Sequence, residues 1–268
     1  MRLLSWNVQW CRGIDGRVDP KRIAGEAKRL ADPDVFCLQE IARNFPEMEG
    51  SSGEDQVEEL LRQMKGYQAF FAPAVDLPGK HGRRQFGNLI LSKLQVGRVV
   101  RHALPWPAAP DVQSMPRAVV EVVVEAPFGP LRVMTTHLEY YSATHRAAQI
   151  DRLRELHAEA CAEHLAVDEP GSYESFGRGT SAIVCGDFNL KPEDRHHRKM
   201  LDAGFVDAWQ SLNPGKTRQA TFHLHDSEPP YCCDYVFITP DLVPRLRALR
   251  IDTATQASDH QPVMVELA

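Results

Sequence analysis

The sequence predicts an α/β fold in which two sheets pack together and helices lie outside them. Short apolar segments of strand type recur along the chain, and several alternate apolar with polar residues. Amphipathic segments with helical periodicity lie between them. The predicted strands are too many for one open sheet, so two sheets are the economical arrangement. The length of 268 residues suits a single domain spanning 1–268.

Nine strands follow from the apolar segments. They cover residues 3–8, 35–39, 68–71, 88–91, 119–124, 131–136, 182–185, 235–238 and 263–267. The segments 119–124 and 131–136 are linked by Pro127-Phe128-Gly129-Pro130, a turn sequence that predicts an antiparallel hairpin.

Helices are predicted over residues 19–30, 55–64 and 143–165. The first begins with Asp19 as N-cap and Pro20 in the first turn, where a missing N–H costs nothing. The third is the longest and has an apolar stripe that includes Ile150, Leu153 and Leu156. Residues 167–180 are polar and glycine-rich, which favours a surface loop.

Composition and charge narrow the class of protein. The net charge of -5 and pI near 6.1 argue against a basic protein that coats nucleic acid, but allow an enzyme with a local basic cleft. No apolar run is long enough to cross a bilayer, and Asn7, Gln9 and Arg12 interrupt any signal-peptide core. Six cysteines without C-x-x-C spacing favour a reduced, cytoplasmic protein.

Polar residues stand where many of these strands end or begin. Alternation along an extended chain puts Asp187 and Asn189, which follow one buried strand, on the same face. The other positions of this kind are Asn7, Glu40, His137, Asp234 and the Asp259-His260 pair. Each alone is typical of a cap or turn, but so many together predict one functional edge.

These positions fall in an ordered set of motifs that resembles the endonuclease/exonuclease/phosphatase (DNase I-like) superfamily, as a bacterial-type member of unassigned substrate. The motifs are SWN (5–7), LQE (38–40), GNLILS (87–92), THLE (136–139), GDFN (186–189), DY (234–235) and SDHQPV (258–263). The resemblance implies a four-layer α/β sandwich, with two mixed, mostly antiparallel sheets packed face to face and helices outside.

The resemblance also implies a metal site. Glu40 would be the principal ligand, with Asn7 and Asp259 nearby, and carboxylate and amide oxygens suit Mg²⁺, for which Mn²⁺ would substitute. One metal or two is left open.

The resemblance to this superfamily also implies catalytic roles. Asp187 would orient or deprotonate the attacking water, and Asn189 would hold the phosphate or a water on the metal. His260 and Asp234 would form a His–carboxylate pair, in which the carboxylate fixes the tautomer of the ring. His137 would donate to a phosphate oxygen. Whether Asp187 or His260 is the general base stays open.

Further residues have two interpretations each. Arg117 is either a phosphate-binding residue or a solvated arginine, and Asn88 either contacts the substrate phosphate or occupies a turn. Tyr140 and Tyr141 either stack on a base or pack in the protein. His196-His197 is expected to be surface charge.

The predicted function is a Mg²⁺-dependent phosphodiesterase or nuclease that acts on DNA or RNA by metal-assisted attack of water. A phosphomonoesterase on a small inositol- or nucleotide-type phosphate is the first alternative, and a catalytically silent binding protein is the second. Specialisation for abasic sites is disfavoured, since Ile41-Ala42 follows LQE and Tyr231-Cys232-Cys233 precedes Asp234. No membrane association and no obligatory protein partner are expected.

Overall fold

The computed structural model describes residues 1–80, 82–166 and 178–268, in which twelve strands form two six-stranded sheets. The strands are β1 (Arg2–Asn7), β2 (Val35–Arg43), β3 (Gln68–Gly79), β4 (Gly82–Ser92), β5 (Val96–Ala103), β6 (Ala118–Ala126), β7 (Gly129–His137), β8 (Ala182–Asp187), β9 (Val206–Asp207), β10 (Asp234–Ile238), β11 (Leu246–Ile251) and β12 (Val263–Leu267). The helices are α1 (Pro20–Leu30), α2 (Gln56–Gln63), α3 (Ala143–Ala166), α4 (Arg195–Asp202) and α5 (Ala208–Leu212), with 3₁₀ turns at Gln9–Cys11 and Pro240–Arg245.

The sheets are mixed and mostly antiparallel, as predicted. The first has the strand order β11-β12-β1-β2-β4-β3, and the second has the order β5-β6-β7-β8-β10-β9. The parallel neighbours are β1 with β2 and β7 with β8. The predicted hairpin is confirmed, because β6 pairs antiparallel with β7 up to Ala126 opposite Gly129.

Three apolar clusters define four layers. The first lies between the sheets and joins residues such as Leu3 and Ile90 of one sheet to Val120 and Ile183 of the other. The second packs α1 and α2 on the outer face of the first sheet, and the third packs α3 and α4 on the outer face of the second. Full burial of such a side chain contributes about 1.5–3 kcal/mol, so both faces of each sheet are held by apolar contact.

Local signals set the starts of the first two helices. Asp19 accepts a hydrogen bond from the backbone N–H of Arg22 and caps α1, as its sequence predicts. Asp55 caps α2 through the N–H groups of Val57 and Glu58. The sequence-based bounds of α1, α2 and α3 agree with the structure to within one or two residues.

The strand prediction missed three of the four strands that lie at sheet edges. It omitted β5, β9 and β11, all three of which end a sheet. An edge strand packs incompletely, so β5 and β11 are partly exposed and carry charged residues in place of a continuous apolar run. Helix α5, of five residues, was also missed because it is too short for a clear period.

The expectation that His196 and His197 are surface charge was wrong. Both rings are buried, and each lies 2.8–2.9 Å from a carboxylate, His196 from Asp194 and His197 from Asp207. The loop predicted over 167–180 falls, for residues 167–177, outside the described residues. Within the described residues, none of the helices has both the length and the apolar character needed to span a bilayer.

Candidate active site

Five strands bring polar residues to one edge of the two sheets. Because β7 and β8 are parallel, His137 lies opposite Asp187 at their carboxyl ends. The antiparallel strand β10 begins beside them, with Asp234 opposite Asp187. In the other sheet the parallel pair β1 and β2 brings Asn7 to the same edge, with Glu40 one residue beyond its partner position. The topology thus collects polar residues that are far apart in sequence.

Glu40 lies in a distortion of β2 and does not end the strand, which corrects the sequence-based boundary. The strand continues to Arg43, and its pairing with β4 shifts register between Leu38 and Ile41. Glu40 itself adopts a φ of 61°, a left-handed conformation that is rare for a residue with a Cβ. The bulge aims the Glu40 side chain at the edge where the other polar groups meet. Such local strain is common at functional sites.

The GDFN segment turns sharply after β8. Gly186 has a φ of 133°, and a Cβ there would lie 1.9 Å from the carbonyl oxygen of Thr136, so only glycine fits. Asn189 then adopts a φ of 50°. Its backbone N–H donates to Asp187 Oδ1 at 2.9 Å, and its Nδ2 donates to Leu138 O at 2.9 Å. The turn therefore fixes both polar side chains of the motif.

Asn7 links the two sheets at the bottom of the site. Its Nδ2 donates to Glu40 Oε1 at 2.9 Å and to Asp187 Oδ2 at 3.0 Å, and it lies 3.5 Å from His260 Nε2. Its Oδ1 accepts the backbone N–H of Gln9 at 3.1 Å. The amide is fully buried and holds two carboxylates in a fixed relation.

His260 is held from both sides of its ring. Its Nδ1 donates to Asp234 Oδ2 at 3.0 Å, and its Nε2 faces Asp187 Oδ2 at 3.7 Å. The hydroxyl of Thr221 donates to the same oxygen of Asp234 at 2.6 Å. The ring of Phe222 covers the imidazole, with 4.4 Å between ring centroids. The predicted His–carboxylate pair is therefore present in the structure.

His137 faces the same carboxylates from the other side of the site. Its Nε2 lies 3.0 Å from Asn189 Nδ2 and 3.5 Å from Asp187 Oδ2, and its Nδ1 lies 3.6 Å from Glu40 Oε1. Because the Asn189 amide nitrogen can only donate, this contact assigns the acceptor role to Nε2 and the proton to Nδ1.

The electrostatic setting shifts the pKa values of four of these groups. Burial, reinforced by the charge of Asp259, raises the pKa of Glu40 to about 7. Burial also raises the pKa of Asp187 to about 6, although the neighbouring His260 opposes that shift. For His260, burial alone would lower the pKa, but the carboxylates of Asp234 and Asp187 outweigh it and raise the pKa to about 10. Burial lowers the pKa of His137 well below its usual value.

The donor set fits a hard divalent cation. Glu40 and Asp259 are acidic, partly exposed and close enough for Asp259 to raise the pKa of Glu40, and a cation between them would relieve that repulsion. Asn7 turns its nitrogen toward the carboxylates, so its predicted role as a metal ligand needs the amide to rotate. Asp187, Cys233 and His260 also have ligand atoms within 4.8 Å of one another, but that thiol-containing set suits a softer metal.

An open cleft of about 530 Å³ lies over these groups. The polar residues at its surface are Glu40, Gln113, Ser114, Arg117, His137, Asp187, Asn189, Asp259 and His260. Asn7 and Asp234 lie beneath them and are buried. Arg117 is also buried, with its Nε 3.4 Å from Glu139 Oε2, so the alternative of a solvated arginine is wrong.

Asn88 is the predicted site residue that the structure does not bring to the cleft. Its side chain is buried, and its Nδ2 donates to the carbonyl oxygen of Ala118 at 2.8 Å. Because β4 and β6 belong to different sheets, this hydrogen bond joins the two sheets. Instead of contacting substrate, Asn88 therefore holds the two sheets of the sandwich together.

Apolar side chains form much of the rest of the cleft wall. They are Trp10, Phe45, Met48, Val75, Phe86, Met115, Tyr140, Tyr141 and Phe222. Tyr140 and Tyr141 are 47% and 58% exposed and pack edge to face, with 5.0 Å between centroids. Both rings therefore stand at the rim of the cleft, where they pack on each other and keep exposed faces.

Sequence reasoning missed three residues that position the site. Thr221 anchors Asp234, and Gln9 Nε2 donates to Asp259 Oδ2 at 2.7 Å. Glu139 accepts from the backbone N–H groups of Met115 and Tyr141 and faces Arg117. Glu139 lies inside the THLE motif, which is a signal that could have found it. Thr221 and Gln9 lie in irregular segments with no sequence signal of their own.

The sequence was compared with models of protein families and with curated proteins. A model of the Endonuclease/Exonuclease/phosphatase family matches residues 4–260, which is almost the whole chain. A search of curated protein sequences found no significant match.

Solved structures with the same fold cover 100% of the chain. An endonuclease/exonuclease/phosphatase from Beutenbergia cavernae is 23% identical, with a TM-score of 0.74 over 72% of that chain. A mannosyl-6-phosphatase from Bacteroides thetaiotaomicron is 18% identical, with a TM-score of 0.72 over 99% of that chain. A 3′ phosphatase from Neisseria, bound to a product DNA hairpin, is 18% identical, with a TM-score of 0.64 over 99% of that chain.

Proposed function

Since the chain belongs to the endonuclease/exonuclease/phosphatase family, we propose that it is a divalent-metal-dependent phosphoesterase that hydrolyses phosphodiester bonds of DNA or RNA. The observation that carries this proposal is the convergence of Glu40, Asp187 and His260 on one cleft, from strands of both sheets. The same cleft contains an amide and a second histidine, which suit binding of a phosphate.

The residues divide the chemistry between them. Asp187 accepts hydrogen bonds from Asn7 and from the backbone of Asn189, which aims its carboxylate at a water in the cleft. The Nδ1–H group of His137 can donate to a non-bridging phosphate oxygen, and the Asn189 amide, which bonds Leu138 O and His137 Nε2, holds that ring in place. His260 is oriented by Asp234 and faces Asp187. On the side of the site opposite His137, it can stabilise charge or exchange a proton.

Glu40 and Asp259 would hold the divalent cation. When bound, Mg²⁺ or Mn²⁺ supplies Lewis-acid charge that favours attack on phosphorus and departure of the alkoxide. Glu40 is fixed by the hydrogen bond from Asn7, and Asp259 by the hydrogen bond from Gln9, so both carboxylates are oriented without the ion. Preorganisation of this kind lowers the cost of reaching the transition state.

The cleft wall supports a nucleic acid over a sugar phosphate. Tyr140 and Tyr141 offer exposed aromatic faces beside the catalytic groups, and Trp10 and Phe45 line the same cleft. Stacking of a base on an aromatic side chain contributes about 1–3 kcal/mol and tolerates every base. A hydrophilic sugar or inositol ring gains little from such a wall.

A phosphomonoesterase is the second candidate, favoured by the buried Arg117 at the cleft surface. A terminal phosphate would need further cationic groups at the cleft, but Arg83 and Arg84 are engaged by Asp76 and Glu47 and do not line it. This difference weakens the monoesterase relative to the phosphodiesterase.

The deciding experiment compares hydrolysis of bis-p-nitrophenyl phosphate, of p-nitrophenyl phosphate and of labelled DNA and RNA. Each is measured with Mg²⁺, Mn²⁺ or EDTA, and His260→Ala serves as the control for contaminating nuclease. We expect diester cleavage that requires metal and is lost in the variant. Cleavage of the monoester alone would favour the phosphatase. No hydrolysis of any substrate would contradict both enzymatic proposals.

A further inference from the structure

A second cleft, of about 860 Å³, lies beside α4 and α5 and outside the catalytic cleft. Five basic side chains line it, namely Lys191, Arg195, Arg198, Lys216 and Arg218. Three acidic side chains, Glu193, Asp194 and Asp207, line it as well. The protein as a whole has a net charge of -5, so an excess of basic groups around one concave surface needs an explanation.

Two of the three acidic groups are engaged within the protein. Asp207 Oδ2 contacts His197 Nε2 at 2.9 Å and the guanidinium of Arg218. Asp194 accepts the backbone N–H of His196 at 2.8 Å and thereby caps α4. Only Glu193 among the three is exposed.

The basic groups are more open to a ligand. Lys191 and Arg195 are exposed and have no carboxylate partner within 4 Å among the described residues. Lys216 is exposed, and its ammonium donates to the side-chain oxygen of Asn213 at 3.2 Å. Arg198 is an exposed residue at 3.6 Å from Asp202. The available charge around the cleft is therefore positive.

Aromatic rings order part of this basic surface. The guanidinium of Arg218 lies over the ring of Tyr235 at 4.3 Å and over Trp209 at 5.4 Å. The ammonium of Lys191 lies over the ring of Tyr231, 5.1 Å from its centroid. A cation over an aromatic face is held in place yet keeps donors free for an anion.

An aromatic wall separates this cleft from the catalytic one. Phe222 lines the catalytic cleft and packs on His260 at 4.4 Å, and it meets Tyr231 edge to face at 5.4 Å between centroids. Tyr231 in turn lines the second cleft and contacts Lys191. Three successive contacts thus lead from His260 to Lys191, across rings on which bases can stack.

We propose that the second cleft binds backbone phosphates of the single-stranded DNA or RNA segment that flanks the scissile bond. This inference rests on the proposed nucleic-acid substrate. A phosphodiester backbone is a chain of single negative charges, which Lys191, Arg195 and Lys216 match, and the Phe222–Tyr231 wall suits the bases of an unpaired strand.

Binding is tested apart from catalysis. Fluorescence anisotropy measures the Kd of labelled single-stranded DNA and RNA oligonucleotides in EDTA at several salt concentrations. The variant Lys191→Ala/Lys216→Ala removes two charges from the second cleft. The control Lys21→Ala/Lys65→Ala removes two exposed lysines elsewhere on the surface. Hydrolysis of bis-p-nitrophenyl phosphate, which is too small to reach the second cleft, is measured for all three proteins.

We expect the cleft variant to weaken oligonucleotide binding by roughly tenfold. The salt slope should fall by about 1.4, because each phosphate that a lysine neutralises on a single strand contributes about 0.7. The control variant keeps the wild-type Kd, and all three proteins hydrolyse the small diester equally. Absence of oligonucleotide binding by the wild type, or equal weakening in both variants, would overturn the inference. Absence of diester hydrolysis by the wild type would instead contradict the proposed function. The binding measurement would then report on the second cleft alone.

Discussion

His260 Nδ1 and Asp234 Oδ2 are joined by a 3.0 Å hydrogen bond between two segments that belong to different sheets. Asp234 is the first residue of β10, and His260 lies just before β12. The bond exists because β10 begins where the segment before β12 crosses the same edge. It connects the charge of His260 to a carboxylate that is itself buried and held by Thr221.

Asp234→Asn should reduce kcat by about 10- to 100-fold while leaving the fold intact, since a residue that orients a catalytic group typically has that effect. It should also lower the pKa of His260 from its raised value of about 10, which the carboxylate sustains. NMR titration of the His260 ring measures this shift. Thr221→Val leaves the Asp234 carboxylate in place but removes the hydroxyl that donates to it and accepts from the backbone N–H groups of Cys233 and Asp234, and it should move both quantities less. An unchanged His260 titration would contradict the positioning role.

Asp187→Asn should lower kcat by on the order of 10² or more with little change in KM, because the carboxylate acts on the reacting water and not on substrate binding. Asp202→Asn, an exposed carboxylate on α4, is the matched control. Steady-state kinetics on a diester substrate make the comparison. Near-normal turnover in Asp187→Asn would remove this residue from the catalytic set.

Glu40→Gln should chiefly weaken metal binding, because the loss of one anionic oxygen reduces affinity for a hard cation. We expect the concentration of Mg²⁺ that gives half-maximal activity to rise, and excess Mg²⁺ to restore part of the rate. Calorimetric titration of Mg²⁺ into the wild type and the variant provides a readout independent of turnover. Normal metal affinity combined with no rescue would contradict the assignment of Glu40.

Asn88→Ala should affect stability more than activity, because the side chain joins the sheets away from the cleft. The change removes the Asn88 hydrogen bond from the Ala118 carbonyl, which keeps the one from the Thr136 hydroxyl, so the loss should be about 0.5–1.5 kcal/mol. Urea unfolding measures the loss, and kinetics on the folded variant should give a KM close to that of the wild type. A large rise in KM would return Asn88 to the substrate site.

Titration of Glu121 should make the free energy of unfolding depend on pH in the acidic range. Its buried carboxylate contacts His102 and Arg178. Burial alone would raise the pKa of Glu121, but these partners outweigh it and lower the pKa from 4.5 to about 2. Because the pKa of Glu121 is lower in the folded state, its carboxylate stabilises the fold at pH values above the unfolded-state pKa of 4.5. That stabilisation is lost as the pH falls toward the folded-state pKa of about 2.

The loss attributable to Glu121 is about 3 kcal/mol, at about 1.4 kcal/mol for each pKa unit. Urea unfolding of the wild type and Glu121→Gln between about pH 6 and pH 3 tests it. The difference in unfolding free energy between the two proteins should shrink as pH falls. A difference that stays constant with pH would contradict the assignment of this stabilisation to the Glu121 carboxylate. If Glu121→Gln does not fold, Arg178→Gln, which removes one of the cations that lower the pKa of Glu121, should reduce the dependence of stability on acid pH.

Sequence alone was sufficient to predict the buried strands, the three longer helices and most of the polar residues that the fold brings to one cleft. Central strands are buried on both faces, so their composition is forced to be apolar wherever they lie in the fold. Asp19 and Asp55 mark helix starts because a cap is a local interaction between neighbours in the chain. The polar ends of the strands were visible for the same reason, as interruptions of an apolar run.

Features that depend on distant partners required the packed molecule. Whether Asn88 meets substrate or Ala118, and whether Arg117 is solvated or buried, depends on how the two sheets face each other. The left-handed bulge at Glu40, the anchoring of Asp234 by Thr221 and the edge strands β5, β9 and β11 have no local signature. Burial and hydrogen bonding between segments far apart in the chain are properties of the whole fold, since no residue specifies them alone.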